Sequence, residues 1–311
     1  MMVMEALKWA NETLKKGVDG SGLDSPMLDA EVLLAAALDV NKAWLFTHLD
    51  RELKAHENDA FRAFVKRRAT GEPVAYVIGY REFYKRRFAV NRHVLIPRPA
   101  TEVLVEAALS AATEDHPQPL LDGRRGDERN DSIFCDIGTG SGAIAVTLAA
   151  ESKLHVLATD MSKEALAVAR SNAVEHKVDE LVDFRHGNLV EPVVKIFASL
   201  GNQSPYRHLI VCANLPYLTQ HQVDAAQREV RDFEPHEALI AGQDGLDDYW
   251  NLIRLLKKSR AVLPERVTIL LEIDPSQNAR IVELIRHDFP HAEPTIAKDL
   301  EGFDRVVTAE V

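Results

Sequence analysis

The sequence predicts an α/β fold, because short apolar runs alternate with helical patterns in the second part of the chain. The runs at 132–135, 154–158 and 208–213 have the length and composition of buried parallel strands. A longer apolar run at 143–149 favours a helix between the first two strands. Residues 1 to about 70 show only helical spacing. We therefore expect a small all-helical domain followed by a larger α/β domain.

The composition indicates a globular protein and opposes some functional classes. The chain has 311 residues, of which 46% are hydrophobic, and its net charge is −11. An acidic protein is poorly suited to sequence-independent binding of a nucleic-acid backbone, so we expect no direct nucleic-acid substrate. No stretch approaches the roughly 18 apolar residues of a membrane span, and charged residues occupy the place of a signal-peptide core. We expect a cytoplasmic protein without a membrane partner.

The two cysteines and twelve histidines predict neither a disulfide framework nor a metal site. Cys135 and Cys212 both lie in predicted buried strands, which favours reduced structural thiols over reactive ones. The histidines show no metal-ligand spacing with cysteine or with each other, so no metal is expected.

Helix signals in the N-terminal segment come from capping residues. Ser25 followed by Pro26 is a good N-cap and first-turn pair. Asn58 is predicted to begin another helix, which ends in the basic run 66–68 before Gly71, as the helix dipole favours.

A glycine-rich turn links the first predicted strand to the apolar helix. Glycine lets the backbone approach a ligand closely and adopt positive φ. A strand, such a turn and a helix are typical of the opening unit of a Rossmann-like nucleotide-binding fold. The spacing Gly-x-Gly-x-Gly suits an adenosyl ligand without phosphates better than the pyrophosphate of a dinucleotide. The residues are Asp136-Ile137-Gly138-Thr139-Gly140-Ser141-Gly142.

The second predicted strand, 154–158, ends in Thr159 and Asp160. A carboxylate at this position can accept hydrogen bonds from both ribose hydroxyls of a bound nucleoside. Ser162 is the predicted N-cap of the next helix. We therefore predict that Asp160 binds the ribose.

The strand 208–213 ends in Asn214-Leu215-Pro216-Tyr217. The Asn214 side chain can recognise another planar nitrogen group, such as an amide or a nucleobase amine. Pro216 holds Leu215 extended, so that the Leu215 carbonyl can act as a second acceptor, and Tyr217 adds a flat apolar wall. Alone, this motif is typical of a strand-ending turn; beside the glycine turn it favours a site for alkyl transfer to an NH2 group.

The remaining segments complete the layout. Residues 114–132, rich in proline, glycine and charge, predict a loop or disordered insertion. Residues 266–273 predict a fifth strand, and 294–297 with 305–311 a closing pair around Gly302. A basic cluster in a predicted hairpin is either a solvated turn or a docking patch for an acidic partner or a ribonucleoprotein surface. Its members are Arg81, Lys85, Arg86 and Arg87.

With these motifs in place, the chain resembles the peptide-chain release factor glutamine methyltransferase family over nearly its whole length. Further landmarks support the resemblance: 71–79, 81–83, 94–99 with Thr101 and Glu102, and 229–235. The resemblance implies an N-terminal helical partner-recognition domain (1–72), a β-hairpin linker (73–98) and a class I methyltransferase domain (99–311).

The resemblance also implies the cofactor and the roles of the site residues. The cofactor would be S-adenosylmethionine, with S-adenosylhomocysteine as its product. It would be held by Asp136, Gly138, Thr139, Gly140, Ser141, Gly142, Asp160, Asn188, Leu189 and Asn214. The substrate amide would be held by Asn214, Leu215, Pro216 and Tyr217.

Three positions depart from the family pattern. Leu215 stands where proline is usual, which costs rigidity more than chemistry because the proposed acceptor is a backbone carbonyl. Asn188 replaces an aspartate near the adenine, and an amide can still hydrogen-bond there. Ala100 replaces a glutamate, so any contact of that glutamate is absent.

The leading hypothesis is methyl transfer to the glutamine amide nitrogen of the Gly-Gly-Gln motif of class I release factors. The segment 96–99 resembles the release-factor branch more than the branch that modifies a ribosomal protein. An adenine amino-methyltransferase grips its base with a similar element, but the acidic charge opposes it. A binding module without turnover and, more remotely, a nicotinamide oxidoreductase complete the alternatives.

Overall fold

The computed structural model describes residues 1–18, 22–113 and 131–311. Within them, the chain forms two compact units. The first comprises 1–80, 90–92 and 225–234, and the second comprises 81–89, 93–224 and 235–311. The loop predicted at 114–132 lies outside the described residues except for its last two, and Ser132 begins a strand.

The first unit is helical, as predicted. Its buried side chains form one apolar cluster that includes Leu14, Leu33, Leu34 and Phe61. Its helices are α1 (Val3–Lys16), α2 (Pro26–Leu38), α3 (Lys42–Thr47), α4 (Ala55–Ala69), α5 (Val74–Ile78) and, later in the chain, α11 (Arg228–Phe233).

The start of α2 is confirmed and the predicted start of α4 is wrong. Ser25 occupies the N-cap of α2, with Pro26 in its first turn. Helix α4 begins at Ala55, because Glu57 accepts a hydrogen bond from the Lys54 backbone at 2.8 Å and so caps the helix before Asn58 is reached. Arg51 also binds Glu57, and hydrogen bonds to the carboxylate lower the Glu57 pKa to about 2.

A buried arginine ties the late segment 225–234 to the helices of the first unit. The Arg68 side chain contacts Asp29 at 2.7 Å and Glu229 at 2.9 Å. Burial raises the pKa of Asp29, although Arg68 opposes that shift. A buried cation with two carboxylate partners satisfies its fork of donors, so α11 packs with the N-terminal helices.

The second unit contains the predicted α/β fold. Its seven-stranded sheet, counted within the described residues, has the order β5-β4-β3-β6-β7-β9-β8. The first five of these strands are parallel to one another, and β9 runs antiparallel to both of its neighbours, β7 and β8. The strands are β3 (Ser132–Ile137), β4 (Val156–Asp160), β5 (Val182–His186), β6 (His208–Ala213), β7 (Arg266–Glu272), β8 (Thr295–Lys298) and β9 (Asp304–Glu310).

The strand predictions are confirmed with small changes of boundary. β6 has the predicted bounds, and β3 extends two residues further to include Asp136. The strand β5 was not identified from its mixed sequence, in which only Val182 and Phe184 are buried.

Helices cover both faces of the sheet and bury a separate apolar core on each. One core includes Phe134, Leu148 and Phe184, and the other includes Leu252, Ile281 and Leu284. The helices are α6 (Glu102–Thr113), α7 (Ala143–Ser152), α8 (Lys163–Glu175), α9 (Glu191–Leu200), α10 (Gln220–Asp224), α12 (Asp247–Ser259) and α13 (Asn278–Asp288). Ser162 caps α8 as predicted, accepting from the Ala165 backbone at 3.0 Å.

The predicted hairpin is present as β1 (Tyr80–Phe83) and β2 (Arg86–Ala89). Both residues of its turn, Tyr84 and Lys85, have positive φ, as a two-residue turn between twisted strands requires. Two members of the basic cluster form ion pairs: Arg86 with Glu151 at 2.6 Å, and Arg87 with Glu82 at 3.7 Å.

Cys135 and Cys212 are free and fully buried in β3 and β6. Burial raises the pKa of both thiols, which keeps them protonated and unreactive. Among the helices of the described ranges, none is long and apolar enough to cross a membrane.

Candidate active site

The candidate site lies at the carboxyl edge of the parallel strands, where ligands bind in open α/β sheets. The strand register places Ile137 beside Thr159 on one side and Ala213 on the other, and Ala213 beside Leu271. The residues that follow therefore lie along one edge. We call the ends of β3, β4 and β5, where the sequence predicts the cofactor, the cofactor half, and the ends of β6 and β7, where it predicts the substrate, the substrate half.

The glycine turn is held against β4 by its backbone. The N–H groups of Gly138 and Thr139 both donate to the Thr159 carbonyl at 2.9 Å. Gly138, Gly140 and Gly142 all have positive φ. The glycines of the turn therefore adopt the positive φ that the sequence predicts for them.

The three glycines differ in the space around them. A Cβ at Gly142 would lie 3.0 Å from the Cβ of Ala169, so this glycine allows α8 to pack closely. At Gly138 a Cβ would meet the Leu215 side chain at 3.1 Å. At Gly140 the nearest atom would be the Gly138 carbonyl oxygen at 4.0 Å, so the space in front of Gly140 is open. Of the three, Gly140 is the one that faces room for a ligand.

Asp136 is fully buried near the end of β3, and its hydrogen bonds are made with other groups of the protein. Its Oδ2 accepts from the Thr139 hydroxyl at 2.6 Å and from the Ala145 backbone at 3.1 Å. Burial raises its pKa to about 7 against the effect of these hydrogen bonds. Asp136 thus fixes the glycine turn to the start of α7.

Asp160 lies half-buried at the end of β4. Its Oδ2 accepts from the Gly140 backbone and its Oδ1 from the Ser162 backbone, each at 2.8 Å. Each oxygen of a carboxylate has a second acceptor position, so both remain able to bind a hydroxyl. Burial raises the pKa of Asp160.

Asn188 and Leu189 lie on the same side of the sheet. The Leu189 carbonyl accepts from the Thr159 hydroxyl at 2.9 Å, and Leu189 has a left-handed backbone with φ +44°. The Asn188 side chain is exposed.

These residues fit an adenosyl cofactor. Open space lies in front of Gly140. Asp160 has spare acceptor positions suited to a ribose, and the exposed amide of Asn188 can donate to or accept from an adenine. The adjacent main chain carries no Cβ to obstruct the ligand at Gly140.

In the substrate half, Asn214 is half-buried directly after β6. Its Nδ2 donates to the Thr101 hydroxyl at 3.1 Å, so its amide nitrogen already has a partner within the protein. Its Oδ1 remains as an acceptor for another group. Thr101 is buried at the end of the 3-10 turn Pro99–Thr101, which also contains Ala100.

Leu215 is buried, and its carbonyl is less accessible than predicted. The hydroxyl of Tyr249 lies 3.5 Å from this carbonyl oxygen, at the outer limit of a hydrogen bond, and also donates to the Glu272 carbonyl. Because a carbonyl has two lone pairs, one acceptor position on Leu215 remains. The Leu215 side chain packs into the apolar core, which a proline could not fill in the same way.

The Tyr217 backbone is fixed by groups that sequence reasoning missed. Its carbonyl accepts from Gln277 Nε2 at 3.0 Å. A Cβ at Gly245 would lie 2.2 Å from the same oxygen, so only glycine fits there. Burial raises the pKa of Tyr217 to about 12, so its hydroxyl stays neutral. These contacts hold the turn that contains Pro216.

Glu272, the last residue of β7, is a further residue beside the candidate site that was not singled out from the sequence. It is fully buried beside the end of β6, and burial raises its pKa to about 7. Within the described residues, neither of its carboxylate oxygens has a hydrogen bond of good geometry. An acid at the end of an apolar strand predicts a site residue at Asp160, and the run 266–272 shows the same pattern.

Two protein families match separate parts of the chain. The PrmC N-terminal domain family matches residues 5–79, and a methyltransferase domain family matches residues 128–196.

Several curated proteins are similar to this chain over its full length. The release factor glutamine methyltransferase of Bacillus cereus is 35% identical, and the alignment covers 100% of both chains. That of Bacillus subtilis is 35% identical over 99% of this chain and 97% of its own. That of Rhodopirellula baltica is 34% identical over 99% of this chain and 96% of its own.

Among solved structures, the catalytic domain of hMettl16 in complex with the MAT2A 3′UTR hairpin 6 has a similar fold. The TM-score is 0.52 at 15% identity, and the match covers 79% of this chain and 81% of that one. This likeness concerns the fold, which agrees with the predicted class I methyltransferase architecture.

Proposed function

Because this chain belongs to the release factor glutamine methyltransferase family, we propose that it methylates the side-chain amide nitrogen of a glutamine in class I peptide-chain release factors. The methyl donor is S-adenosylmethionine, and the target is the glutamine of the Gly-Gly-Gln motif. The family membership supports the reaction class, and the geometry of Asn214 supports its assignment to the edge of β6.

The orientation of Asn214 is the observation that carries the proposal. Since Nδ2 donates to Thr101, Oδ1 is the group left to accept a hydrogen bond from a substrate. A second acceptor is the remaining lone pair of the Leu215 carbonyl. Two acceptors that bind the two N–H groups of one NH2 hold its nitrogen in a defined orientation.

An amide nitrogen is a weak nucleophile, so orientation and exclusion of water are the main tasks of the protein. Bound S-adenosylmethionine supplies a methyl group on a sulfonium, whose positive charge is lost as the methyl leaves. A nitrogen–carbon bond forms as the carbon–sulfur bond breaks, and the nitrogen then releases one proton to solvent. Asn214 and Leu215 bind the amide, Pro216 fixes the turn, and Tyr217 packs on the amide plane.

The cofactor half would hold the donor through groups with distinct tasks. Asp160 would accept the ribose hydroxyls, and Asn188 with Leu189 would border the adenine. Gly140 would leave room for the ligand. Asp136 would act indirectly, because its hydrogen bonds go to Thr139 and Ala145. The reaction as proposed needs no metal, and the product of the donor is S-adenosylhomocysteine.

We assign partner recognition to the N-terminal helical unit, and the site of action to the cytoplasm, where release factors work. The match of residues 5–79 to the PrmC N-terminal domain supports the first assignment. The net charge of −11 supports a protein substrate over a nucleic acid.

The test is to mix the purified protein with S-adenosylmethionine and the release factors of the same organism, and to map peptides by mass spectrometry. One added methyl on the glutamine of Gly-Gly-Gln is expected, and it should form far more slowly with the Asn214→Ala variant. Methyl addition to a ribosomal protein or to adenine, with none on the release factors, would overturn the proposal. Cofactor binding without any transfer would favour a binding module.

A further inference from the structure

The stability of the fold does not require an acid at Glu272, whose carboxyl is buried. The side chain has no exposed surface, and within the described part of the chain neither oxygen has a well-formed hydrogen bond. A buried unpaired carboxyl destabilises a fold, and leucine or glutamine would fit the end of an apolar strand at lower cost. Its position at the substrate half therefore calls for a functional explanation.

The Thr101 hydroxyl is the side-chain group that acts on the Glu272 carboxyl through a hydrogen bond. This hydroxyl lies close enough to lower the pKa of Glu272, although the contact is not a well-formed hydrogen bond. Hydrogen bonds in catalytic sites are often loose without substrate and tighten in the complex. The hydroxyl proton rotates freely about the carbon–oxygen bond, so it can turn to the carboxylate.

Thr101 has only one proton to donate, and this constrains Asn214. When the proton points to Glu272, the Thr101 oxygen can act toward Asn214 only as an acceptor. The amide of Asn214 must then present Nδ2 to Thr101, as observed at 3.1 Å, and Oδ1 to the substrate. When the proton is not held by Glu272, it can be donated to Oδ1 of a flipped Asn214, which would turn its NH2 toward the substrate NH2.

We propose that Glu272 is a positioning residue, which acts through the Thr101 hydroxyl to fix the Asn214 amide with Oδ1 facing the substrate. The proposal rests on the methyl transfer proposed above and extends it by two residues. Neither Glu272 nor Thr101 contacts the reacting nitrogen. Together they determine whether Asn214 offers an acceptor or a donor.

The ionisation of Glu272 gives this device a pH dependence. Arg98, before the 3-10 turn, and Arg305, on β9, lower the Glu272 pKa. Burial has the larger, opposite effect, so the pKa is raised to about 7. Arg305 also binds Asp299. The neighbouring hydroxyls of Tyr217 and Tyr249 have raised pKa values and stay neutral. Below about pH 7 Glu272 is therefore protonated, and the neutral acid accepts the Thr101 proton more weakly than the carboxylate does.

The first experiment compares the pH profile of kcat/KM in four proteins. The wild type is expected to rise with pH through an apparent pKa near 7. Glu272→Gln and Thr101→Val should each lower kcat/KM by about 10- to 100-fold and remove that rise. Thr101→Ser, which keeps the hydroxyl, should retain both activity and pH dependence.

The double variant separates positioning from general damage. If both residues act through one chain of contacts, Thr101→Val with Glu272→Gln loses no more than either change alone. Glu265→Gln is the matched control, because Glu265 is exposed just before the other end of the same strand. It should leave the rate and the profile unchanged, and affinity for S-adenosylmethionine should stay within about threefold in every variant.

A second measurement needs no methyl transfer and therefore distinguishes a failure of this inference from a failure of the proposed function. The side-chain NH2 signal of Asn214, assigned by its loss in Asn214→Ala, is followed by nitrogen-15 NMR. It should shift with a midpoint near pH 7 in the wild type and show no such shift in Thr101→Val.

Three results would overturn the inference: losses that multiply in the double variant, a rise near pH 7 that persists in Glu272→Gln, or an Asn214 signal insensitive to pH. If Glu272→Gln does not fold, Thr101→Val and the wild-type titration decide the question.

Discussion

Two buried carboxyls occupy corresponding places in the two halves of the site, and their surroundings differ. Asp136 at the end of β3 and Glu272 at the end of β7 are both fully buried, and burial raises the pKa of each to about 7. Oδ2 of Asp136 accepts hydrogen bonds from Thr139 in the glycine turn and from Ala145 in the first turn of α7, while its Oδ1 has no partner within the described residues. Neither oxygen of Glu272 has a well-formed hydrogen bond within the described residues.

The difference shows that burial and a shifted pKa do not by themselves identify a functional acid. Asp136 stabilises the glycine turn and the start of α7 through Oδ2 alone. Glu272 has hydrogen-bonding capacity left over beside Asn214, where a substrate is proposed to bind. The glycine turn of the cofactor half is thus fixed by hydrogen bonds within the protein, while in the substrate half Asn214 and Glu272 still have acceptor atoms that can take further hydrogen bonds.

The largest effect should follow the loss of the Asn214 side chain, whose Oδ1 is the proposed acceptor for the substrate amide. Asn214→Ala is expected to lower kcat by about 10²- to 10³-fold, as does the loss of one directed hydrogen bond in other active sites. Affinity for S-adenosylmethionine, measured by calorimetry, should be only modestly weaker. Asn202→Ala, in an exposed turn, is the control. A variant that no longer binds the cofactor would make Asn214 chiefly a cofactor residue.

Asp136→Ala should instead act on stability. It leaves the Thr139 hydroxyl and the Ala145 N–H without their buried partner, which we expect to lower the free energy of unfolding by about 2 to 4 kcal/mol. Urea unfolding measures this value. Asp183→Ala provides the control, since Asp183 is half-exposed on β5. Equal losses in both variants would mean that the hydrogen bonds of Asp136 contribute little.

The glycines should separate packing from ligand space within the cofactor half. Gly142→Ala forces a Cβ against Ala169 at a positive φ and should cost about 2 to 3 kcal/mol of stability. Gly140→Ala should cost only about 1 kcal/mol, since its Cβ would enter open space. It should nevertheless weaken S-adenosylmethionine binding by about tenfold or more. Unchanged cofactor affinity in Gly140→Ala would show that the ligand lies elsewhere.

Another modest effect is expected in the pH dependence of stability due to Glu272. Its pKa rises from 4.5 to about 7 on folding, so between these values the folded state binds the extra proton. The free energy of unfolding therefore falls as pH rises through this window, by roughly 2 kcal/mol between about pH 5 and pH 7. In Glu272→Gln this contribution should vanish while that of Asp136 remains. Parallel wild-type and variant curves would contradict it.

The sequence was sufficient where a signal is local. The strand β6 was predicted with its bounds because an uninterrupted apolar run ends at a polar residue. The turn from Gly138 to Gly142 was predicted because positive φ favours glycine, and Ser162 because an N-cap bonds within its own first turn.

Signals that depend on distant partners were missed. The start of α4, by contrast, was misplaced for a local reason: Glu57 caps the helix from its first turn, and Lys54 at the N-cap is not a typical N-cap residue. Tyr249 reads as one apolar member of an amphipathic helix, and only the packing of α12 brings its hydroxyl to Glu272 and Leu215. The role of Thr101 depends on a hydrogen bond to Asn214 far along the chain.

The two halves of the site also differ in when they can form during synthesis. The cofactor half is built from one continuous stretch, from Asp136 to Leu189. The substrate half needs Thr101, Asn214 and Glu272 together, and contacts so far apart in sequence form slowly. A growing chain can therefore complete its cofactor half first, while Asn214 acquires its neighbour Glu272 only after β7 has left the ribosome and paired with β6.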